Sequence, residues 1–459
     1  MRTTSIINCV LFSLILFGYG ISYLINPSKK ISETEKRKLA QFPSWSFDQY
    51  LKGVWIDSID KFVNDQAPFR LQSVTFASTL NQYKGFHFSE KERIVSIKKP
   101  NKNLAKKNSA NDTASAVRRY LDDFTESASS SFLIINGSVF TLNSGVPSMS
   151  KYFADMLNKY ARELKNETRV FSCVPPLSSA FIPVKKYEYY NKKNQETLLA
   201  ISASLSDGSI FCDVLGELNK HTDKKLFFST DHHWTAYGAY YAYVSFCKQA
   251  GFEPVPLENM TKKVKYNFLG TLYELTRDKA VEKNPDTLDY FIPKVETNAV
   301  TYKEGDLSYP YKTEVFCERC YGGYSYSTFL CGDLALIKIK TNVKNGKKAM
   351  VIKNSMGNAF SVFLISHYEE LYIIDYRYSE HNLLNLIRDN NINDLIFAPS
   401  LYAANAYGTI QRMYNLGFNN GLVRQAALKA RMEKDSIFNN AQTYKDSLEL
   451  IDKKLFPDE

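Results

Sequence analysis

AMVIKNSMGNAFSVFLISHYEELYIID, Ala349 to Asp375, reads as a buried strand, a sharp turn, a helix and a second strand. The first strand ends at Lys353, and Asn354-Ser355-Met356-Gly357-Asn358 forms the turn. Phe360, Phe363, Leu364 and Tyr368 recur at helical spacing and mark one face of the helix that follows. Strand, crossover helix, strand is the unit from which parallel sheets are built. Ser355 therefore falls between a strand's end and a helix's N-terminus. There, free N–H groups and the positive end of the helix dipole can stabilise an oxyanion. Gly357 lets the backbone come close. On its own, Ser355 reads more often as an ordinary N-cap.

Working outward, short apolar runs recur on both sides. Ser131 to Ile135, Arg169 to Val174 and Ser209 to Val214 precede this block, and Asp394 to Ala398 follows it. Helical stretches such as Ser150 to Arg162 separate them. All-apolar strands spaced by helices predict an α/β fold with a parallel central sheet covered on both faces. The stretch from Gly251 to Gly332 is irregular and rich in Tyr, and reads as an insertion or as substrate-facing loops.

The strongest local signal is LFFSTDHHWTAYGAYYAY, Leu226 to Tyr243. A strand, Leu226 to Ser229, is predicted to run into Asp231-His232-His233-Trp234. A helix follows over 236–250, with Thr235 as N-cap and Gly251 just past its end. In extended chain, residues i and i+2 face the same side, so Asp231 lies beside His233 while His232 points away. A carboxylate beside an imidazole fixes its tautomer and stabilises the imidazolium formed during proton transfer. With Ser355 at another strand end, the three residues predict a Ser-His-Asp relay. Metal binding and plain capping are the competing readings of the histidine pair. Ser178 and Ser179 lack the strand–turn–helix setting. His87, His221, His367 and His381 have no comparable partner.

Composition sets the remaining bounds. Of 459 residues, 44% are hydrophobic and 23% charged, which is globular and not disordered. The net charge of +10 is spread along the chain without a dense basic block or a nucleic-acid motif, so nucleic acid is not an expected partner. Ser5 to Ile25 carries no charge and has the length of a bilayer span, without the small residues of a cleavage site. It predicts an uncleaved single-pass anchor. Lys29, Lys30, Lys36, Arg37 and Lys38 after it oppose an outside placement by the positive-inside rule, and the bulk is placed outside the cytoplasm because long domains translocate largely regardless of charge. Six of the seven cysteines lie beyond that run and admit 15 disulfide pairings. Cys317 and Cys320 form a lone CxxC with neither a second CxxC nor a His pair, so no metal and no cofactor are predicted. The expected organisation is an anchor (1–25), a tether and helical segment (26–115), the α/β domain (116–404) and a polar helical tail (405–459). Within the second segment, 99–115 reads as a surface loop.

DHHWTAYGAYYAY resembles the signature of the DHHW protein family, which is similar to the alginate O-acetyltransferases with an SGNH-hydrolase-like domain. SETEKRKLAQFP at Ser32 to Pro43, VNDQAPFR at Val63 to Arg70, NFLGTLY at Asn267 to Tyr273 and NPDTLDY at Asn284 to Tyr290 resemble the same family. VIKNSMGNA at Val351 to Ala359 and IIDYRY at Ile373 to Tyr378 do so as well. The likeness runs from about Ser32 to about Ala404. It implies a three-layer SGNH-like fold in which the Asp-His pair precedes the serine. Ser355 would be the nucleophile, His233 the base and Asp231 its partner. Members often carry Asp where this chain has Asn354, a residue that can still orient the turn. The resemblance implies O-acetylation of an exopolysaccharide or capsule, with a multi-spanning membrane partner delivering the acyl group. Met356 and Asn358, with Asn136, are expected at the oxyanion or substrate. Trp234 and Arg377 are expected to contact substrate. The alternatives are an acetylesterase with the same residues and a non-catalytic polysaccharide-assembly or binding protein.

Overall fold

The computed structural model describes residues 54–69, 92–97, 130–142, 145–165, 167–302 and 307–435, with short stretches between 10 and 50. Most of the expected anchor, the loop 99–115 and the chain beyond Asp435 lie outside the described residues. Among the described residues no helix is long and apolar enough to cross a membrane. The chain divides into two compact units, 1–88 with 101–122, and 89–100 with 123–459.

In the first unit, strands β1 (Ile31–Ser32) and β2 (Arg37–Lys38) form a short antiparallel pair, and a helix spans Val54–Gln66. It stops two residues before Pro68, as proline's restriction on the preceding residue requires. Gln66 ties the helix end down. Its amide accepts from Lys29 N at 2.9 Å and donates to the carbonyls of Lys29 and Ala40, each at 2.9 Å.

The second unit opens with a small antiparallel sheet of β3 (Glu92–Ile97), β4 (Ser130–Ile135) and β5 (Ser138–Thr141). Here the sequence reading is corrected, because the Ser131–Ile135 run does not join the main sheet. Asn136 and Gly137, with φ of +48° and +76°, close a two-residue hairpin. Positive φ at both central residues matches the right-handed strand twist and keeps β4 beside β5.

The remaining strands are β6 (Arg169–Ser172), β7 (Ile210–Phe211), β8 (Thr261–Phe268), β9 (Asp286–Ile292), β10 (Thr297–Tyr302), β11 (Pro310–Thr313), β12 (Leu336–Thr341), β13 (Lys348–Lys353), β14 (Glu370–Asp375) and β15 (Asp394–Ala398). Strands β8 and β9 pair by themselves. The others form one sheet in the order β11-β10-β12-β14-β13-β15-β6-β7. From β14 to β7 every pairing is parallel, while β12, β10 and β11 add on antiparallel. The sheet is thus mixed, not parallel throughout. The antiparallel end is where burial becomes one-sided. In β12, Ile337 and Ile339 are buried while Lys338 and Lys340 reach outward, the alternation typical of antiparallel strands with one wet face.

Alternate residues of β13 serve different cores. Ala349 and Val351 pack with Ala239, Phe246, Phe360 and Phe363 on one face. Met350 and Ile352 pack with Phe153, Leu157, Tyr160, Ile410 and Met413 on the other. Helices on both faces explain why β13, β14 and β15 read as unbroken apolar runs. The helix Ala236–Ala250 forms where its caps predict. Thr235 Oγ1 accepts from Gly238 N, and Gly251 takes φ +76°.

Candidate active site

At the carboxyl end of β13, the chain turns through Asn354, Ser355 and Met356 into a helix of Gly357–Ser361 that continues as a 3-10 turn. Gly357 N donates to Asn354 O at 2.9 Å, and Asn358 N to Ser355 O at 3.1 Å. A Cβ on Gly357 would lie 2.5 Å from Lys353 Cβ, so only glycine permits this turn. Asn354 clamps the turn to the loop after β15. Its Nδ2 donates to Ser400 Oγ at 2.9 Å and its Oδ1 accepts from Ser400 N at 3.1 Å. With an ionised Asp here, the Ser400 hydroxyl would have to donate where it now accepts.

The Asp-His pair does not follow a sheet strand. Leu226 to Trp234 is a tight loop closed by an isolated bridge between Phe227 and Trp234. Its extended character is bracketed by side chains in place of a neighbouring strand. Asp286 accepts from Ser229 N at 2.9 Å, from Thr230 N at 2.7 Å and from Thr230 Oγ1 at 2.7 Å, and pairs with Lys225 at 2.6 Å. Thr271 donates to Asp231 Oδ2 from its N at 2.9 Å and its Oγ1 at 3.0 Å. Asp231 Oδ1 takes His233 N at 3.0 Å and His233 Nδ1 at 2.5 Å. On the far side of the ring, His233 Nε2 lies 2.9 Å from Ser355 Oγ. An ionised carboxylate only accepts, so Nδ1 carries the imidazole proton and Nε2 accepts from the serine hydroxyl. Asp231, His233 and Ser355 are buried to within 3% of complete. In so dry a setting their hydrogen bonds are worth more than in water.

His232 sits beside this relay, its ring 3.9 Å from that of His233. Burial, with His233 adding to it, depresses its pKa to about 3. With a little surface left, it lines a cleft with Ser355, Met356, Asn354, Ser400, Tyr402, Thr141 and Leu177. Donor atoms of Asp231, His232 and His233 lie within 4.8 Å of one another. Both ring nitrogens of His233 are already engaged, which favours the proton-relay reading over a metal.

Behind the serine turn lies a charged cluster. Lys353, wholly buried, reaches Asp375 at 3.0 Å and Asp333 at 3.5 Å. Arg377 pairs with the same two carboxylates at 2.6 and 2.9 Å. Burial pushes the Asp333 carboxyl upward, but Arg377, Lys353 and a hydrogen bond from Asn358 outweigh it and hold it well below the usual carboxylate range.

The structure brings Ser355, His233 and Asp231 together and sets Met356 at the cleft. The other expected contacts are reassigned. Trp234 is fully buried and donates from Nε1 to Met356 O at 2.9 Å, so it braces the serine turn and meets the need of a buried indole N–H. Arg377 is engaged by Asp333 and Asp375. Asn358 donates to Asp333 Oδ1 at 3.0 Å. Asn136 is exposed at the hairpin turn. Residues missed in the sequence complete the site. Thr271 and Asp286 come from the two middle stretches NFLGTLY and NPDTLDY, whose job is to hold the histidine loop. Tyr326, from the Tyr-rich run, stacks on His233 at 3.7 Å.

Ser355 at the carboxyl end of β13, with His233 and Asp231 brought to it by the Leu226–Trp234 loop, makes an acid–imidazole–hydroxyl arrangement on an α/β sheet. The DHHW protein pattern matches residues 107–374, more than half of the chain, and the chain belongs to that family. A crystal structure of a DHHW family protein from Eubacterium siraeum is similar at 28% identity and TM-score 0.57, over 62% of this chain and 95% of that one. Bacillus cereus PatB1, in a structure with a sulfonyl adduct, shares the fold at 20% identity and TM-score 0.52, over 62% and 98%. The O-acetyltransferase domain of Pseudomonas putida AlgJ aligns over 61% and 96%, at 11% identity and TM-score 0.32. No curated protein sequence matches the chain.

Proposed function

We propose that this chain is a serine O-acyltransferase that transfers acetyl groups to carbohydrate outside the cytoplasmic membrane. The observation that carries the reading is the continuous relay from Asp231 through His233 to Ser355, with spacings of 2.5 and 2.9 Å. Ser355 Oγ attacks the acyl carbonyl of the donor while its proton passes to His233 Nε2. The Met356 N–H, at the head of a helix, faces the developing oxyanion. The protonated imidazole, balanced by Asp231, gives its proton to the departing group and leaves an acyl-serine. A sugar hydroxyl then enters the cleft, loses its proton to His233 and takes the acyl group; the proton returns to Ser355. Carbohydrate as acceptor is supported by the family's likeness to O-acetyltransferases. The uncharged run Ser5 to Ile25 supports an extracytoplasmic placement, where a membrane-embedded partner supplies the acyl group.

The test is to incubate the full chain and Ser355→Ala with para-nitrophenyl acetate and a panel of oligosaccharides. Mass spectrometry should find acetyl on Ser355 and then on sugar with the wild type, and neither with the variant. Acetyl on Ser355 that is released only to water, with every oligosaccharide tried, would overturn the transferase reading in favour of an esterase.

A further inference from the structure

A second cluster of reactive side chains lies outside the relay. The lone CxxC of Cys317 and Cys320 offers two thiols, and the fold adds two more groups. A bridge between Phe316 and Phe329, with Cys317 N donating to Thr328 O at 2.8 Å and Leu330 N to Val315 O at 2.9 Å, folds the segment back on itself. That return brings Cys331 beside Cys317. Donor atoms of Glu314, Cys317 and Cys331 all lie within 4.8 Å of one another, and Cys320 Sγ is 3.1 Å from Cys317 Sγ.

We infer that Glu314, Cys317, Cys320 and Cys331 form a structural site for a divalent, thiolate-preferring cation such as Zn2+. Tetrahedral zinc holds sulfur at about 2.3 Å, so its ligands stand roughly 3.8 Å apart. Cys317 and Cys320, now 3.1 Å apart at sulfur, would have to open to that spacing to hold the ion with Glu314 and Cys331. A disulfide would use two of the four groups and leave a third thiol and a carboxylate against it; one tetrahedral cation uses all four. Arg319 donates to one oxygen of Glu314 at 2.8 Å, leaving the other for a cation.

Two backbone features set this cluster apart from an accidental meeting of cysteines. Leu330 and Cys331 are consecutive non-glycine residues at φ +61° and +55°, a conformation that costs about 1–3 kcal/mol each and persists where the surroundings demand it. Those two residues follow directly on the Phe316–Phe329 bridge. Lys265 donates to the carbonyls of Cys317, Glu318 and Cys320 at 3.3, 2.9 and 2.6 Å, fixing the CxxC turn. The segment enclosed between Cys317 and Cys331 carries the 3-10 turn Gly322–Thr328, and with it Tyr326 on the face of His233. A cation here would clip the base of the loop that positions the imidazole.

The experiment is elemental analysis of the full-length chain after growth with zinc and dialysis without chelator. It is paired with mass-spectrometric mapping of disulfides under non-reducing conditions. One zinc per chain is expected in the wild type and in Cys173→Ser. Zinc should be lost from Cys317→Ser and from Cys331→Ser. Should those variants fail to fold, exchange of the wild-type metal for Co2+ is decisive, because cobalt–thiolate coordination gives intense charge-transfer absorption in the near ultraviolet. Absence of zinc in the wild type, a Cys317–Cys320 or Cys317–Cys331 disulfide, or zinc that survives in folded Cys317→Ser would each overturn the site.

Discussion

Tyr326 lies flat on the imidazole of His233, the ring centroids 3.7 Å apart and the planes 9° from parallel. Its hydroxyl is within 3.2 Å of Ser355 O and 3.3 Å of Met356 O. One side chain thus touches both the base and the backbone of the serine turn. Tyr326→Phe keeps the ring and loses a hydrogen bond worth about 1 kcal/mol, so ester turnover should stay within about tenfold of wild type. Tyr326→Ala removes the ring and opens a cavity, at about 3–5 kcal/mol of stability. Turnover should fall by about a hundredfold, the scale expected when a catalytic group shifts by an ångström. Denaturant unfolding and ester hydrolysis read the two effects separately. Wild-type turnover in folded Tyr326→Ala would show that stacking does not hold the imidazole.

The two histidines of the motif should separate cleanly. His233 engages Asp231 and Ser355 through its two ring nitrogens, whereas burial keeps His232 neutral down to about pH 3. His233→Ala should abolish labelling of Ser355 by a serine-directed sulfonyl fluoride, since the hydroxyl loses its base. His232→Gln should retain labelling. Loss of labelling in a folded His232→Gln would place His232 in the relay.

Gly270 is where the middle of the chain meets the relay. A Cβ there would sit 2.3 Å from both Cβ and Oδ2 of Asp231. Gly270→Ala must push that carboxylate away from His233. We expect about 1–3 kcal/mol of lost stability from overpacking and at least a hundredfold loss of turnover. Thr271→Val removes one of the two Thr271 bonds to Asp231 while keeping the backbone N–H, and should lose about tenfold. Activity unchanged in Gly270→Ala would mean that Asp231 does not orient the imidazole.

The charged cluster behind the serine should be intolerant of a missing anion. Asp333→Ala removes one of the two carboxylates that Lys353 and Arg377 share. Breaking a buried ion pair from one side costs about 3–5 kcal/mol, and the partial exposure of Asp333 points to the lower end. A melting or denaturant curve measures it; a loss below about 1 kcal/mol would show that solvent compensates for the absent carboxylate.

The relay was legible because its signals are local. An i, i+2 carboxylate–imidazole pair and a serine followed by glycine between strand and helix can each be read without knowing the fold. Residues that hold the relay were not legible. Asp286 and Thr271 act across 40 to 56 positions of chain, and nothing in NPDTLDY or NFLGTLY announces a partner. The Asn136-Gly137 hairpin and the alternation of LIKIKT at Leu336 to Thr341 were present in the sequence as turn and period signals. The first removes Ser131–Ile135 from the main sheet, and the second marks its antiparallel side. Trp234 misled because an aromatic beside a catalytic histidine suggests a sugar platform, whereas its indole N–H finds its partner inside the protein.

His367 gives the protein a pH-dependent stability term remote from catalysis. Burial, followed by the charge of Lys347, lowers its pKa from 6.5 to about 4. The surroundings explain why it stays neutral. The Tyr243 hydroxyl lies 2.5 Å from His367 Nε2, Cys247 Sγ lies at 3.8 Å, and Phe252 stacks on the ring at 4.7 Å. In the folded state the proton is refused until about pH 4; in the unfolded state it is taken near pH 6.5. The unfolded chain therefore binds more protons between those values, and unfolding free energy rises with pH across them. The contribution is complete above about pH 6.5 and is lost as pH falls toward about 4, amounting to no more than about 3 kcal/mol. His232, also depressed by burial, adds a slope of the same sign that continues to about pH 3. Denaturant curves from pH 7 to pH 4 on wild type and His367→Gln should show a shallower fall in the variant, because an amide has nothing to protonate. Identical slopes would assign the acid sensitivity to other groups, and stability that rises on acidification would contradict the burial argument itself.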